Sequence, residues 1–349
     1  MSGQGHLRVG ILLPCRNEER VIRRRIANLA QLHWPSDSGS NRVIVIDDHS
    51  TDATLELARE AMRHSSNDQF QMQVMCNEVR PGKNGAIEQG LLSLSGEVDL
   101  VFLTDADVLV EPGALLAVCA AFQSDELLGM ACGSQVFVQV LDGTGACSGD
   151  LRSASAIWDR WTANVRRLES RFGKLFSVHG QWLAWRADLE ISPKPGVAAD
   201  DVDLMLQVRS GARPRVRMVP DARFYECKPA GGEAAESQGL RRARAWFQVF
   251  RPQSKPEGLR GLDRLQWFAY ARVPAIFPWL CAGVILVGLL LVGKTLGWTF
   301  ALGGLPLVVL LALTPFGREW LRTLRLIVQA RRLERQEEMS EAWEMTREG

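Results

Sequence analysis

Three clusters of polar residues follow three short apolar runs, and their residue types suit the binding of phosphate groups and hard metal ions. The clusters are Pro14-Cys15-Arg16-Asn17-Glu18 after Val9–Leu13, Asp47-Asp48-His49-Ser50 after Val43–Ile46, and Thr104-Asp105-Ala106-Asp107 after Leu100–Leu103. Each cluster alone would serve as a helix cap or a turn, because Asx side chains often bond to nearby backbone. Three clusters in equivalent positions favour one shared site.

Asp105 and Asp107 place hard oxygen ligands on one short turn. Mg²⁺ and Mn²⁺ prefer oxygen ligands and usually complete their coordination with water and substrate phosphates. A diphosphate leaving group benefits from such an ion, since negative charge builds on it as its bond to the transferred group breaks. The spacing is common by chance, and its place directly after an apolar run gives it weight.

Apolar runs alternate with helical patterns through the first half of the chain. Strands are predicted at 9–13, 43–46, 70–76 and 100–103, and helices at 18–32, 51–62, 85–94 and after Glu111-Pro112-Gly113. The alternation predicts an α/β fold with a mostly parallel sheet and helices on both faces. Ligands bind beyond the carboxyl ends of such strands, where the three clusters lie. Further on we expect strands at 130–140 and 215–219, helices at 150–172 and 201–210, and a loop at 230–238.

The clusters, taken in order, resemble the inverting family 2 glycosyltransferases of the GT-A fold over about residues 8–246. The resemblance rests on the turn after the first strand, on Asp47-Asp48-His49-Ser50-Thr51-Asp52-Ala53-Thr54, on Arg80-Pro81-Gly82-Lys83, and on Asp105-Ala106-Asp107. It implies a GT-A nucleotide-sugar-binding domain in which Asp48 contacts the base. It also implies that Asp107 is the direct ligand of Mg²⁺ or Mn²⁺, with Asp105 beside it. The donor-binding residues that it implies are Pro14, Asn17, Glu18, Asp48, Lys83 and Asp105.

Two further segments match the family with changes. Gly180–Arg186, which includes Gln181 and Trp182, resembles the loop that shapes the acceptor side. Asp200-Asp201 stands where the family usually has Glu-Asp, so the resemblance implies that Asp201 is the general base and that Asp200 contacts substrate. The base would take the proton of the acceptor hydroxyl as its oxygen attacks the anomeric carbon. The alternative is an acidic pair that only suits a helix N-terminus.

The chain departs from the family's processive polymerases at Arg241-Arg242-Ala243-Arg244-Ala245-Trp246. Those enzymes carry Gln-x-x-Arg-Trp, and here the tryptophan is displaced by one residue. Arg241 and Arg244 could hold the diphosphate, with Trp246 beside it. The segment is equally well read as the basic face of an interfacial helix. The departure argues against a polymer-extruding channel.

Two uncharged stretches, 273–292 and 296–317, are each long enough to cross a bilayer core of about 30 Å. Gly293-Lys294-Thr295 separates them, which predicts a transmembrane helical hairpin. Arginines flank the pair, so the positive-inside rule places both ends in the cytoplasm. A pair of buried core helices is the alternative. We therefore predict a transferase domain at 1–250 with halves 1–125 and 126–250, an interfacial linker at 251–272, two spans within 273–317, and an amphipathic cytoplasmic tail at 318–349.

Composition and other motifs exclude several classes of protein. The formal net charge of +1 on 349 residues gives no sign of nucleic-acid binding. The seven cysteines show no CxxC spacing, which argues against a zinc site. Gly288–Thr295 spells a P-loop, but it ends an apolar run rather than joining a strand to a helix. No signal-peptide pattern opens the chain, so we expect it to begin in the cytoplasm.

The sequence thus predicts a hexosyltransferase at the inner membrane, with its catalytic domain in the cytoplasm. Its partners would be a nucleotide-diphosphate sugar, a lipid or glycan acceptor, and the membrane. A polysaccharide-synthesising transferase and a non-catalytic membrane scaffold that binds nucleotide sugar remain alternatives. A nucleotidylyltransferase would need a loop rich in glycine and arginine after the first strand, where this chain has Pro14–Glu18.

Overall fold

The computed structural model describes residues 7–35, 41–65, 68–138, 140–141, 147–148, 156–195, 197–227, 233–250, 258–259, 261–297, 299 and 313–336. The chain divides into two compact units, one built mainly of residues 1–230 and the other mainly of residues 231–339. The first unit contains the polar clusters, and the second contains the arginine-rich and apolar segments.

Up to residue 104, the strands and helices of the first unit alternate as the sequence predicts. Its strands are β1 Val9–Cys15, β2 Arg42–Asp47, β3 Gln71–Cys76, β4 Leu100–Thr104, β5 Val108–Val110, β6 Leu128–Val138, β7 Val140–Leu141, β8 Cys147–Ser148, β9 Trp182–Arg186 and β10 Arg215–Cys227. Its helices are α1 Ile22–Ala30, α2 Thr54–Ser65, α3 Lys83–Leu94, α4 Ala114–Ser124, α5 Ala156–Arg171 and α6 Asp200–Ser210, with a 3₁₀ turn at Ala187–Leu189.

Within the described residues, eight strands form one sheet in the order β3-β2-β1-β4-β9-β6-β10-β5. Strands β1 to β4 pair in parallel, and β6 pairs in parallel with β10. Strand β9 runs antiparallel between β4 and β6, and β5 runs antiparallel to β10 at the edge. The mostly parallel sheet is confirmed. The prediction of a loop at 180–186 is wrong for Trp182–Arg186, because this segment pairs along its length with β4.

The hydrophobic core forms because the central strands are apolar on both faces. All seven residues of β1 and all five of β4 are buried. Ile22, Ile26 and Leu29 of α1 pack into the same core cluster as the sheet. Burial on both faces is expected of strands covered by helices, and it leaves only their carboxyl ends for polar chemistry.

The second unit consists of helices in its described part. These are α7 Glu233–Val249, α8 Leu262–Leu296 and α9 Pro315–Gln336. The loop predicted at 230–238 is wrong from Glu233 onward, where α7 begins. The turn predicted at Gly293-Lys294-Thr295 is also wrong, since α8 continues through these residues to Leu296. The next residue, Gly297, caps the helix with a φ of +98°, a conformation that favours glycine.

One helix of the described residues is long and apolar enough to cross a bilayer, judged by length and composition, and its apolar stretch is Trp279–Leu296. Only 6% of that stretch is buried. Most of the second predicted span, 296–317, lies outside the described residues.

Candidate active site

The site forms where the strand order changes direction. The chain proceeds outward from β1 to β2 and β3, then returns to place β4 on the other side of β1. The carboxyl ends of β1 and β4, where the strand order reverses, are the usual ligand position in open α/β sheets. Because β9 is antiparallel to β4, its first residue, Trp182, pairs with Thr104 and brings the 179–182 segment to the same edge.

Asn17 joins the turns that follow β1 and β2. Its φ of +54° lies in the left-handed region, which asparagine tolerates better than most residues. Its side-chain Oδ1 accepts the Thr51 backbone N–H at 2.9 Å, and its own N–H donates to Ser50 Oγ at 2.9 Å. Glu18 is buried, and its N–H donates to Thr54 Oγ1 at 2.6 Å. These bonds hold the first two predicted clusters together.

Asp48 is fully buried and fastens the turn after β2 to the start of α3. Its two carboxylate oxygens accept the Gly82 N–H at 2.9 and 3.0 Å, and Asn77 Nδ2 donates to Oδ1 at 2.7 Å. Arg16 Nη1 lies 3.7 Å from Oδ2. Gly82 has φ +102° and ψ +163°, a backbone conformation open almost only to glycine. Contact of Asp48 with a nucleotide base stays a prediction.

Lys83 links the third cluster to the start of α6. Its Nζ lies 2.8 Å from Asp105 Oδ1 and 3.4 Å from Asp200 Oδ2. Burial alone would lower the pKa of the Lys83 ammonium, but the carboxylates of Asp105, Asp200 and Asp201 outweigh it and raise this pKa. Lys83 is therefore charged at every pH of interest, and it holds two segments together that are far apart in the sequence.

Asp201 lies at the N-terminus of α6, beside the 179–182 segment. Burial raises the pKa of its carboxyl to about 6, and the neighbouring Asp200 adds to this, while Lys83 opposes it. A Cβ placed on Gly180 would lie 3.2 Å from the Asp201 Cβ, so the backbone approaches this side chain closely. A partly buried carboxyl with a pKa near neutrality suits general-base chemistry.

Two residues of α1 that the sequence motifs do not include form hydrogen bonds to the two ends of residues 104–110. Arg25 is fully buried and donates to Asp105 O and Thr104 Oγ1, and Asn28 bonds to the backbone of Val110. The helical pattern alone predicts that the arginines of α1 form a polar face. Burial lowers the pKa of the Arg25 guanidinium to about 9, while Asp105 and Asp107 act in the opposite direction, so it is protonated at neutral pH.

Several of the predicted site residues have side chains that are buried or bonded to other residues of the protein. Pro14 is buried within β1, opposite Ile46. Trp182 is 1% exposed and packs on Phe102 at a ring distance of 5.1 Å, so its side chain belongs to the core. Gln181 Nε2 donates to Glu226 Oε2 at 3.2 Å.

Glu226 is itself buried in β10, opposite Val108, and Gln135 also donates to it. No motif points to this carboxylate. Arg241, Arg244 and Trp246 lie on α7 in the second unit. Their part in binding a diphosphate stays a prediction.

The donor set fits a divalent ion that takes most of its ligands from outside the protein. Asp105 and Asp107 are both partly exposed on the turn between β4 and β5. The described residues contain no group of three or more His, Cys, Asp or Glu side chains arranged to hold a metal. Two partly exposed carboxylates form the kind of site that Mg²⁺ and Mn²⁺ use with nucleotides, and such a site does not suit zinc.

Known proteins resemble this chain over much of its length. The family described as glycosyl transferase family 2 matches residues 10–180. The family described as glycosyl transferase family group 2 matches residues 100–316, more than half of the chain.

Two curated relatives match parts of the chain. The beta-monoglucosyldiacylglycerol synthase of Nostoc sp. is 35% identical over 119 residues, which are 34% of this chain and 24% of that protein. The probable glycosyltransferase YdaM of Bacillus subtilis is 26% identical over 228 residues, 64% of this chain and 51% of that protein. The match thus spans about half of one relative and a quarter of the other.

The solved structure of the mannosyltransferase PcManGT from Pyrobaculum calidifontis, in complex with GDP-Man and Mn²⁺, superposes with a TM-score of 0.70 at 21% identity. The match covers 95% of this chain and 88% of that one. This likeness shows a shared GT-A fold. Together with the family matches, it shows that the chain belongs to the family 2 glycosyltransferases.

Proposed function

We propose that the protein transfers a sugar, with inversion, from a nucleotide-diphosphate sugar to a hydroxyl of a lipid or lipid-linked acceptor at the cytoplasmic face of a membrane. The observation that carries this proposal is the contact of Lys83 with Asp105 and Asp200 beyond the carboxyl end of β4, with Asp201 adjoining. One edge of the sheet thereby combines the Asp105-Ala106-Asp107 turn, which would lie beside the diphosphate, with Asp201, the candidate base.

Each residue has a part in this proposal. Asp107 and Asp105 would hold Mg²⁺ or Mn²⁺, which supplies positive charge to the departing diphosphate when bound. Lys83 orients the Asp105 carboxylate through the bond at 2.8 Å. Asp201 accepts the proton of the acceptor hydroxyl as the oxygen attacks the anomeric carbon from the face opposite the diphosphate.

A lipid acceptor and a membrane location have separate support. The Nostoc relative is a synthase of monoglucosyldiacylglycerol, a glycolipid, although it matches only 34% of this chain. The apolar stretch Trp279–Leu296 would anchor the protein. Both observations suit an acceptor taken from the bilayer better than a soluble one.

The donor is tested by thermal stabilisation of the purified protein with a panel of nucleotide sugars, with and without Mn²⁺. We expect one donor to raise the Tm only when the ion is present, because a ligand stabilises the folded state in proportion to its occupancy. Asp107→Ala should abolish both this stabilisation and transfer. Donor stabilisation that is identical with and without Mn²⁺ would contradict the metal dependence.

Asp201→Asn tests the base. We expect donor stabilisation to be retained and kcat to fall by about 10²–10⁴-fold, the usual contribution of a general base. Asp203→Asn is the matched control, because Asp203 is a buried carboxylate on the same helix that bonds to Lys194 and Gln207. Unchanged transfer by Asp201→Asn would refute its assignment, and so would a loss of donor binding equal to the loss of transfer.

A further inference from the structure

We propose that Arg25 and Asn28 of α1 are positioning residues that set the separation of Asp105 and Asp107 for the divalent ion. The inference rests on the metal site of the proposed function. It adds to that site two side chains that form hydrogen bonds to the ends of residues 104–110.

The guanidinium of Arg25 binds two consecutive residues at the start of the turn. Its Nη2 donates to Thr104 Oγ1 at 2.6 Å, and its Nε donates to the backbone oxygen of Asp105 at 3.1 Å. A guanidinium offers its donors in a rigid planar fork, so two simultaneous bonds define the orientation of the peptide as well as its position. The first residue of the motif is therefore held through its main chain.

Asn28 holds the far end of the same segment. Its Nδ2 donates to the backbone oxygen of Val110 at 2.9 Å, and its Oδ1 accepts the Val110 N–H at 2.9 Å. Arg25 Nη1 also donates to Asn28 Oδ1. Residues three apart on a helix lie on the same face, so one turn of α1 ties down both ends of residues 104–110.

Arg25 differs from an ordinary ion-paired arginine in the atoms that accept its hydrogen bonds. Within the described part of the chain, the hydrogen bonds of Arg25 go to a hydroxyl, a main-chain oxygen and an amide oxygen rather than to a carboxylate. A buried positive charge is costly unless it is well bonded. Here the charge lies beside two acidic residues, and it holds their turn through atoms other than their carboxylate oxygens.

Mn²⁺ binding to the full-length protein tests this role, followed by the loss of the free-ion EPR signal, with and without UDP or GDP. Arg25→Lys keeps the charge but loses the fork, and Asn28→Ser removes the bonds to Val110. We expect each to weaken Mn²⁺ binding by about tenfold, the lower range for residues that orient metal ligands. Arg186→Lys is the matched control.

Arg186 also donates to main-chain oxygens, those of Phe122 and Leu128, but it lies at the opposite end of β9 from the site. We expect Arg186→Lys to lower the Tm without changing Mn²⁺ affinity. A folded Arg25→Lys protein that binds Mn²⁺ as wild type overturns the inference, as does an equal loss in Arg186→Lys. If Arg25→Lys does not fold, Asn28→Ser decides the question by the same criterion. Failure of the wild-type protein to bind Mn²⁺ contradicts the proposed metal dependence itself, and the inference falls with it.

Discussion

At the scale of single residues, the electrostatics of the site depend on Lys83 and the aspartates around it. The ammonium of Lys83 lies within 3.4 Å of Asp105 and Asp200, and the charges of Asp201 and Asp107 remain in addition. Even with the buried guanidinium of Arg25 beside Asp105 and Asp107, two positive charges face four carboxylates, which leaves an excess of negative charge at this edge of the sheet. Such an excess favours a divalent cation, and it opposes ionisation of the Asp201 carboxyl.

The raised pKa of Asp201 leads to a prediction about pH. A general base works only when it is deprotonated, so kcat/KM should fall as the pH drops through about 6, the pKa to which burial and Asp200 raise this carboxyl. Asp200→Asn removes a neighbouring negative charge, which lowers the pKa of Asp201. The acidic limb of the kcat/KM profile should therefore move to lower pH, even where the rate itself is reduced.

The same shift has a defined sign for stability. The folded-state pKa of Asp201 lies above its unfolded value, so ionisation of this carboxyl works against folding as the pH rises through about 6. Asp201→Asn removes this titration, so the Tm of the variant relative to wild type should be higher at pH 7 than at pH 4. For the pH dependence of kcat/KM, an acidic limb that stays in place in Asp200→Asn would show that a group other than Asp201 controls that limb.

The residues of the site differ in how far sequence could predict them. Asp105, Lys83 and Asp200 were predictable from their motifs, and the structure brings them together. Arg25 was not, because an arginine on an amphipathic helix normally reaches into solvent, and nothing local to α1 shows that Thr104 and Asp105 lie beside it. Glu226 escaped prediction for the same reason, since its partners Gln135 and Gln181 come from other parts of the chain.

At the scale of elements, strands β1, β2 and β4 were predictable because each contains a short apolar run bounded by polar residues, whereas β3 alternates polar and apolar residues at its start. Strand β9 was not, because Trp182–Arg186 becomes a strand through antiparallel pairing with β4 and β6, which are remote in the sequence. The length of α8 was also unexpected. Gly293 and Lys294 indicated a turn, but three further helical residues follow Gly293 before the helix ends.

The junction between the 77–82 loop and α3 provides a test at this scale. A Cβ on Gly85 would lie 1.8 Å from the main-chain oxygen of Arg80, so Gly85→Ala must displace the loop that presents the Gly82 N–H to Asp48. We expect a loss of about 1–3 kcal/mol in the free energy of unfolding, as in overpacked cores. Donor binding should weaken too, measured as a smaller rise in Tm when the nucleotide sugar and Mn²⁺ are added.

Gly113→Ala is the control for this substitution. Gly113 precedes α4 at φ −80°, and no atom outside its chain neighbours lies within 4 Å of the position that an alanine methyl would take, so alanine fits there without strain. Alanine should leave the free energy of unfolding unchanged or raise it by about 0.4–1 kcal/mol, because alanine lowers the conformational entropy of the unfolded chain. Equal Tm values for Gly85→Ala and wild type would show that the loop moves freely and does not fix Asp48.

At the scale of the whole molecule, the chain combines a transferase unit with a helical unit of different surface chemistry. The first buries one large hydrophobic cluster between the sheet and its helices. The second exposes leucines along α8, among them Leu286 at 58% and Leu290 at 48%. A helix of 35 residues is about 52 Å long at 1.5 Å per residue, well beyond a bilayer core of about 30 Å. Part of α8 therefore extends outside any membrane that it crosses.

Charge introduced into the apolar part of α8 tests the membrane anchor. Each arginine near the centre of a spanning helix costs about 2.5–3.5 kcal/mol of insertion free energy, so Leu286→Arg with Leu290→Arg should shift the protein from the membrane pellet to the carbonate-extracted fraction. The matched control is Leu92→Arg with Leu127→Arg, which alters two leucines of the first unit that are 64% and 47% exposed. These should leave the distribution unchanged, because that surface faces water in either case. If both double variants fractionate as wild type, α8 is not the anchor, and the proposed lipid acceptor loses its structural support.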